Sequence, residues 1–119
     1  MFSFTRREKL KSKKAITELF ISGDSLKEFP LRLRYLRDLD SEEDQIKVAI
    51  SVPKRSFKSA VDRNRIKRLI REAYRKNKTS VKGSWNLMFI YTDNKEWNYH
   101  SLEKKIIALL DKFSHLAEK

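Results

Sequence analysis

The chain has 119 residues, 28 Lys and Arg against 16 Asp and Glu, a net charge of +12, and no cysteine. This length suits one domain, residues 1–119, with one modest core. The lack of cysteine excludes disulfides and thiolate metal sites. No run approaches the roughly 20 apolar residues that span a bilayer, and residues 1–14 lack the apolar run of a secretory signal, so the expected location is cytoplasmic.

A charge excess of this size points to a polyanion, meaning nucleic acid or an acidic membrane surface. Distribution strengthens the point. Between Lys54 and Lys78 eleven basic residues face only Asp62 and Glu72, so nine of the twelve net charges sit in 25 residues.

In chain order, residues 1–11 read as an extended basic arm with Phe2 and Phe4 as its bulky groups. Ser12 is placed to cap a helix through Ser22, with Ala15, Ile16, Leu19 and Phe20 on one stripe and Gly23 ending it. Leu31, Leu33 and Tyr35 alternate with Arg32 and Arg34, which predicts a strand with one apolar and one basic face; Pro30 fits its first position. Five carboxylates between Asp38 and Asp44 predict a solvated loop, and the spacing of a calcium loop is absent. Ile46, Val48, Ile50 and Val52 alternate as a second strand that Pro53 ends. Ser59 opens the basic helix, 59–76, with Asp62 three residues on as an expected capping box. Gly83 and Ser84 make a turn, and Leu87 to Tyr91 form a continuous apolar run suited to a buried strand. Leu102, Ile106, Leu109, Leu110 and Phe113 mark a final amphipathic helix, with Asn98 as its cap. The expected class is α+β: one small sheet with helices packed mainly on one face.

An α-helix advances about 100° per residue, so with Ala60 at zero Leu69, Ala73, Ile66 and Ile70 fall at about 180°, 220°, 240° and 280°. Lys67, Arg71, Asn64, Arg75 and Arg68 fall at about 340°, 20°, 40°, 60° and 80°, nearly opposite. One arc is expected to dock on the sheet while the other offers cations outward. Lys67, Arg71 and Arg75 at i, i+4 and i+8 repel one another unless a polyanion relieves them, and the planar fork of Arg suits phosphate oxygens. A membrane-surface helix fits less well, because its apolar arc lacks Trp and Phe. A helix-turn-helix reader is disfavoured by Pro53 and the strand before it. His100 and His115 are isolated, and no His/Asp/Glu set has metal-ligand spacing, so the chain itself is not expected to be catalytic.

The run Ile50-Ser51-Val52-Pro53-Lys54-Arg55, then seven residues, then Arg63-Asn64-Arg65-Ile66-Lys67-Arg68-Leu69-Ile70-Arg71-Glu72, resembles the signature of the bacterial ribonuclease P protein subunit. The resemblance is strong over 50–75 and loose elsewhere. It implies a protein cofactor of a ribozyme, with ribonuclease P RNA and precursor tRNA as partners; no protein partner is evident from the sequence, and no membrane partner is expected. The catalytic RNA would cut off the tRNA 5′ leader using Mg2+, and no metal-contacting residue is assigned in this chain. It also implies the order α-β-β-β-α-β-α of a ribosomal protein S5 domain 2-like fold, with a left-handed crossover through the Arg-Asn-Arg helix.

By position, Arg63, Asn64, Arg65, Lys67, Arg68 and Arg71 match the family's RNA-contacting helix, which Arg75 extends, and Lys54 and Arg55 match its basic pair. Phe20 matches an aromatic of the leader cleft between the first helix and the sheet; plain core packing is the competing expectation for it. Ile16 stands where many members carry a second aromatic and Thr92 where many carry a base. Arg32, Arg34 and Tyr35 are expected to compensate. A ribosomal or RNA-chaperone protein and a DNA-binding architectural protein are the alternatives.

Overall fold

The computed structural model of the chain describes residues 8–41 and 43–118. Seven elements follow in order: α1 Lys13–Ser22, β1 Asp24–Glu28, β2 Leu31–Arg37, β3 Gln45–Ser51, α2 Ala60–Lys76, β4 Ser84–Tyr91 and α3 Tyr99–Ala117. This is the α-β-β-β-α-β-α order that the resemblance implied.

The strands form one sheet in the order β1-β2-β4-β3. β1 and β2 make an antiparallel hairpin around Phe29 and Pro30, β2 pairs antiparallel with β4, and β3 pairs parallel with β4. A parallel pair cannot be closed by a tight turn; α2 is the connection that returns the chain to the starting end. Pro30 thus sits in the hairpin turn rather than at the first position of β2.

β4 lies in the middle, and its apolar run is explained by burial on both faces. Leu87, Phe89 and Tyr91 point into the main core with Leu31, Leu33 and Val48, against Ile66, Ile70, Ala73 and Tyr74 of α2 and Leu102, Ile106, Leu109, Leu110 and Phe113 of α3. Met88 and Ile90 point the other way, into a smaller cluster with Leu10 and Leu19 that Ala15, Ile16, Leu36 and Ala49 border. Successive strand side chains alternate between faces, so a strand apolar at every position needs a cover on each side. Most of the helices thus share one face, as expected: α2 and α3 cover it, while α1 covers the other.

Leu19 is the fully buried anchor of α1, and truncating such a leucine costs about 2–5 kcal/mol. The helix begins as expected, with Ser12 Oγ accepting the Ala15 N–H at 3.2 Å. Gly23 ends it with an extended φ of −75°, not a left-handed one. It is needed for close approach, since a Cβ there would lie 2.4 Å from the Leu19 carbonyl oxygen. Residues 1–7 of the expected arm lie outside the described residues. Its last part is not free, because Lys9 bridges Val48 and the Leu10 N–H donates to the Val48 carbonyl at 2.9 Å.

α2 buries Ile66, Ile70 and Ala73 as the wheel predicts, and Tyr74 widens that arc to about 320°. The expected capping box does not form. Ser59 makes no side-chain cap bond, and the Asp62 carboxylate turns to Arg65 at 3.4 Å. The far end is tied to α3: Asn77 Nδ2 donates to the Ala73 carbonyl at 2.9 Å and to Glu103 at 3.0 Å. Asn98 caps α3 as expected, accepting the Ser101 N–H at 2.9 Å.

Candidate nucleic-acid interface

Once α2 is docked by its apolar arc, its opposite arc is left facing solvent, and the ion pairs along it sort the cations. Glu72 is the only acid in the body of the helix, and it holds the last turn. Arg75 Nε donates to Glu72 at 3.0 Å, a second Arg75 nitrogen bonds the other carboxylate oxygen, and Lys76 lies 3.8 Å away. The bond from Arg75 holds the Glu72 carboxyl below the usual carboxylate range and raises the guanidinium correspondingly. Arg75 is thereby placed on the expected face but compensated.

Further toward the N-terminus, Asn64, Arg68 and Arg71 are exposed and Lys67 is half-buried. None of these four side chains has a hydrogen-bond or ion-pair partner among the described residues. They form one open quartet of three cations and an amide.

The flanking arginines divide differently. Arg65 is exposed and pairs with Glu96 at 2.6 Å, a surface pair worth about 0–1 kcal/mol that a phosphate can displace. Arg63 is spent on structure: one Nη donates to the carbonyls of Phe57 at 2.9 Å and Lys58 at 2.8 Å, bracing the loop into α2. Lys54 and Arg55 are exposed in the turn that leaves β3, where the Ser56 N–H bonds the Pro53 carbonyl.

The face covered by α1 brings together some of the expected leader-cleft residues. Phe20 is 52% exposed, which removes the core-packing explanation for it. The Arg34 guanidinium lies 5.4 Å from its ring centroid. Arg34 itself is engaged by the backbone, donating to the carbonyls of Leu19 at 2.8 Å, Phe20 at 3.0 Å and Gly23 at 3.1 Å. It closes the C-terminal end of α1, where a cation is favoured by the helix dipole. Arg32 shares this face, paired across the sheet with Ile90 and Lys27, and its Nε is buried without a partner.

Tyr35 is the exception. Strand alternation turns it to the α3 side, where its ring meets Phe113 at 5.6 Å and Trp85 at 6.3 Å. It belongs to the main core and not to the α1 cleft. Ile16 packs in the smaller core cluster. Thr92 closes the hairpin, its N–H and hydroxyl both donating to the Pro30 carbonyl at 2.7 and 2.9 Å.

One exposed aromatic was not picked out from sequence. Phe29, 59% exposed at the hairpin tip, meets Trp97 edge-on at 5.9 Å. Trp97 is held by Asp93 at 2.8 Å. Only the position of Phe29 in a two-residue turn could have marked it. His100 and His115 are exposed on α3, and among the described residues no three acidic or imidazole groups come together to hold a metal.

Comparison with known proteins fits this geometry. The profile of the family described as Ribonuclease P matches residues 4–114. A ribonuclease P protein component of Porphyromonas gingivalis is 38% identical over 77 residues, covering 65% of this chain and 56% of that protein. The matched segment thus spans little more than half the length of that relative. The corresponding protein of Dictyoglomus thermophilum is 27% identical over 122 residues, covering 100% of this chain and 98% of its own. In fold, the structure of the Staphylococcus aureus RNase P protein superposes with a TM-score of 0.76 at 20% identity, covering 89% of this chain and 94% of that one.

Proposed function

Because the chain belongs to the Ribonuclease P family, we propose that it is the protein subunit of a ribonuclease P holoenzyme, which removes the 5′ leader of precursor tRNA. The observation that carries this reading is the uncompensated quartet of Asn64, Lys67, Arg68 and Arg71, set within the family signature on a helix whose other face is locked into the core. A row of cations without partners among the described residues suits RNA phosphates, which release their counterions on contact. Such contacts set affinity and orientation rather than sequence preference.

Bond cleavage belongs to the RNA in this reading. Mg2+ held by the RNA would supply the activated water and stabilise the leaving oxygen; among the described residues of this chain no three acidic or imidazole groups come together. The protein's share is positioning. The quartet, Lys54, Arg55 and the displaceable Arg65 bind the catalytic RNA. Phe20, on the opposite face with the Arg34 guanidinium against its ring, offers a surface on which a leader base stacks. The role of Arg34 is to hold that ring's helix in place.

Reconstitution tests the reading. Added to a bacterial ribonuclease P RNA at low magnesium, the protein should raise the rate of leader removal from precursor tRNA. An unchanged rate with the cognate RNA would refute it. Equal affinity for that RNA and for duplex DNA would favour an architectural DNA-binding role instead.

A further inference from the structure

The α1 helix crosses the sheet from above β3, where Leu10 bonds Val48, to β2, where Arg34 closes its end. It therefore divides this face into two ends. Setting Ile16 at zero, Leu19 points down at about 300° and Phe20 falls at about 40°, toward the end that holds Arg32 and Ile90. Ala15, Glu18 and Lys14 fall at about 260°, 200° and 160°, on the other flank. There they wall a cavity of about 370 Å³, with Asn86 and Lys47 from the sheet. None of Phe20, Arg32, Arg34 and Tyr35 lines it.

Two independent features give this cavity a ligand preference. Asn86 is only 7% exposed, and its Oδ1 has no hydrogen-bond partner. A buried amide left unsatisfied costs about 1–3 kcal/mol. The side chain sits between Leu36 and Lys47 in the sheet register, at the cavity's edge. The second feature is charge. Lys9, Lys11, Lys14 and Lys47 line the cavity, and none forms an ion pair with a described residue. The N-terminus of the ten-residue α1 opens beside them with no acid in its first turn, adding the partial positive charge and free N–H groups that favour an anion.

Asp38, Asp40 and Glu18 also line the cavity, and they limit its field. Asp38 is partly spent, accepting the Asp40 N–H at 3.1 Å. The three carboxylates do not converge as a metal site. Four ammonium groups and a helix N-terminus outweigh them.

We propose that this cavity is a second RNA contact, taking one nucleotide of an RNA strand, with its phosphate on Lys11, Lys14 and the α1 N-terminus and its polar edge on the Asn86 amide. That amide has its N–H donor to offer a base carbonyl there, since Oδ1 itself has almost no accessible surface. RNA would then grip both flanks of α1. The proposal rests on the RNA-binding reading above.

The test is an NMR titration of the ¹⁵N-labelled full chain with the dinucleotide UpU, with inorganic phosphate and magnesium chloride as separate arms. UpU and phosphate should give saturable shifts at the Lys13 and Lys14 backbone amides. UpU should also move the Asn86 side-chain amide. The double variant Lys11→Gln/Lys14→Gln, at exposed positions, should weaken these shifts at least threefold while those at Asn64 to Arg71 persist. Shifts at Asn64 to Arg71 without any at Asn86 would overturn this proposal and leave the RNA-binding reading standing. A response of Asn86 to magnesium chloride alone would overturn it in favour of a cation site. Silence at both places would overturn this proposal, and leader removal by the reconstituted holoenzyme would decide the RNA-binding reading separately.

Discussion

Replacing Arg34 by Met should loosen the C-terminal end of α1 and, with it, the placement of Phe20. The guanidinium reaches three carbonyls of that end, with Nε donating to Leu19 at 3.0 Å and Nη2 to Leu19, Phe20 and Gly23 at 2.8, 3.0 and 3.1 Å. Most carbonyls of a last helical turn have no partner within the helix. Hydrogen bonds from a charged donor contribute about 1.5–3 kcal/mol, and a cation at a helix C-terminus about 0.3–1 kcal/mol. Both describe the same charge, and water reaches part of the group, so they do not add. The expected loss is about 2 kcal/mol, a large share of a typical total of about 5–15 kcal/mol. By the rule that 1.4 kcal/mol is tenfold, amide protection over 19–23 should fall by roughly 30-fold. Urea unfolding should shift to a lower midpoint with an unchanged slope. Arg34→Lys keeps the charge but loses the fork and should fall between the two. Wild-type protection and midpoint in Arg34→Met, with RNA affinity reduced, would refute the capping role and return Arg34 to the leader.

Arg68→Ala should leave stability within about 0.5 kcal/mol and reduce the salt slope of RNA binding by roughly 0.7–0.9, the loss of one phosphate contact. Arg63→Ala should do the reverse, lowering the unfolding free energy by about 1–2 kcal/mol through its two carbonyl bonds while the salt slope stays unchanged. Phe20→Leu should leave the urea midpoint nearly unmoved and weaken leader-bearing tRNA more than leaderless tRNA; equal effects on both would remove the stacking role. Glu28 ties β1 to α3 through Lys112 and Lys105, and the Lys112 hydrogen bond is the largest cause holding its carboxyl below the usual range. A carboxyl depressed in the fold stabilises above its unfolded pKa and loses that contribution as pH falls through the folded one. Glu28→Gln should therefore flatten the acid limb of stability measured by urea unfolding between about pH 5 and 3, with little relative change below it.

What could be read from sequence was whatever local periodicity encodes. The caps at Ser12 and Asn98, the α3 stripe and the opposed arcs of α2 depend only on residues within a few turns of each other. They place Asn64, Lys67, Arg68 and Arg71 outward whatever α2 packs against. The continuous apolar run of β4 likewise announced a buried strand, and the family signature supplied the order of elements.

Tertiary structure decided the rest. β1 has one apolar residue, Leu26, packed in the main core, and it is a strand because β2 offers it an edge. Alternation divides β2 into an apolar and a basic row without saying which helix each row meets. The sheet pairing sent Tyr35 toward Phe113 and the two arginines toward α1. Charge type cannot distinguish a cation that faces RNA from one that satisfies a carbonyl. Arg63, Arg34 and Arg75 were drawn to partners that only folding brought near, whereas Arg68 and Arg71 were not. The sequence by itself thus determined that a basic helix face exists and where it points. The tertiary structure decided which of its charges remain available, because an unmet carbonyl or carboxylate close by claims a guanidinium before any RNA arrives.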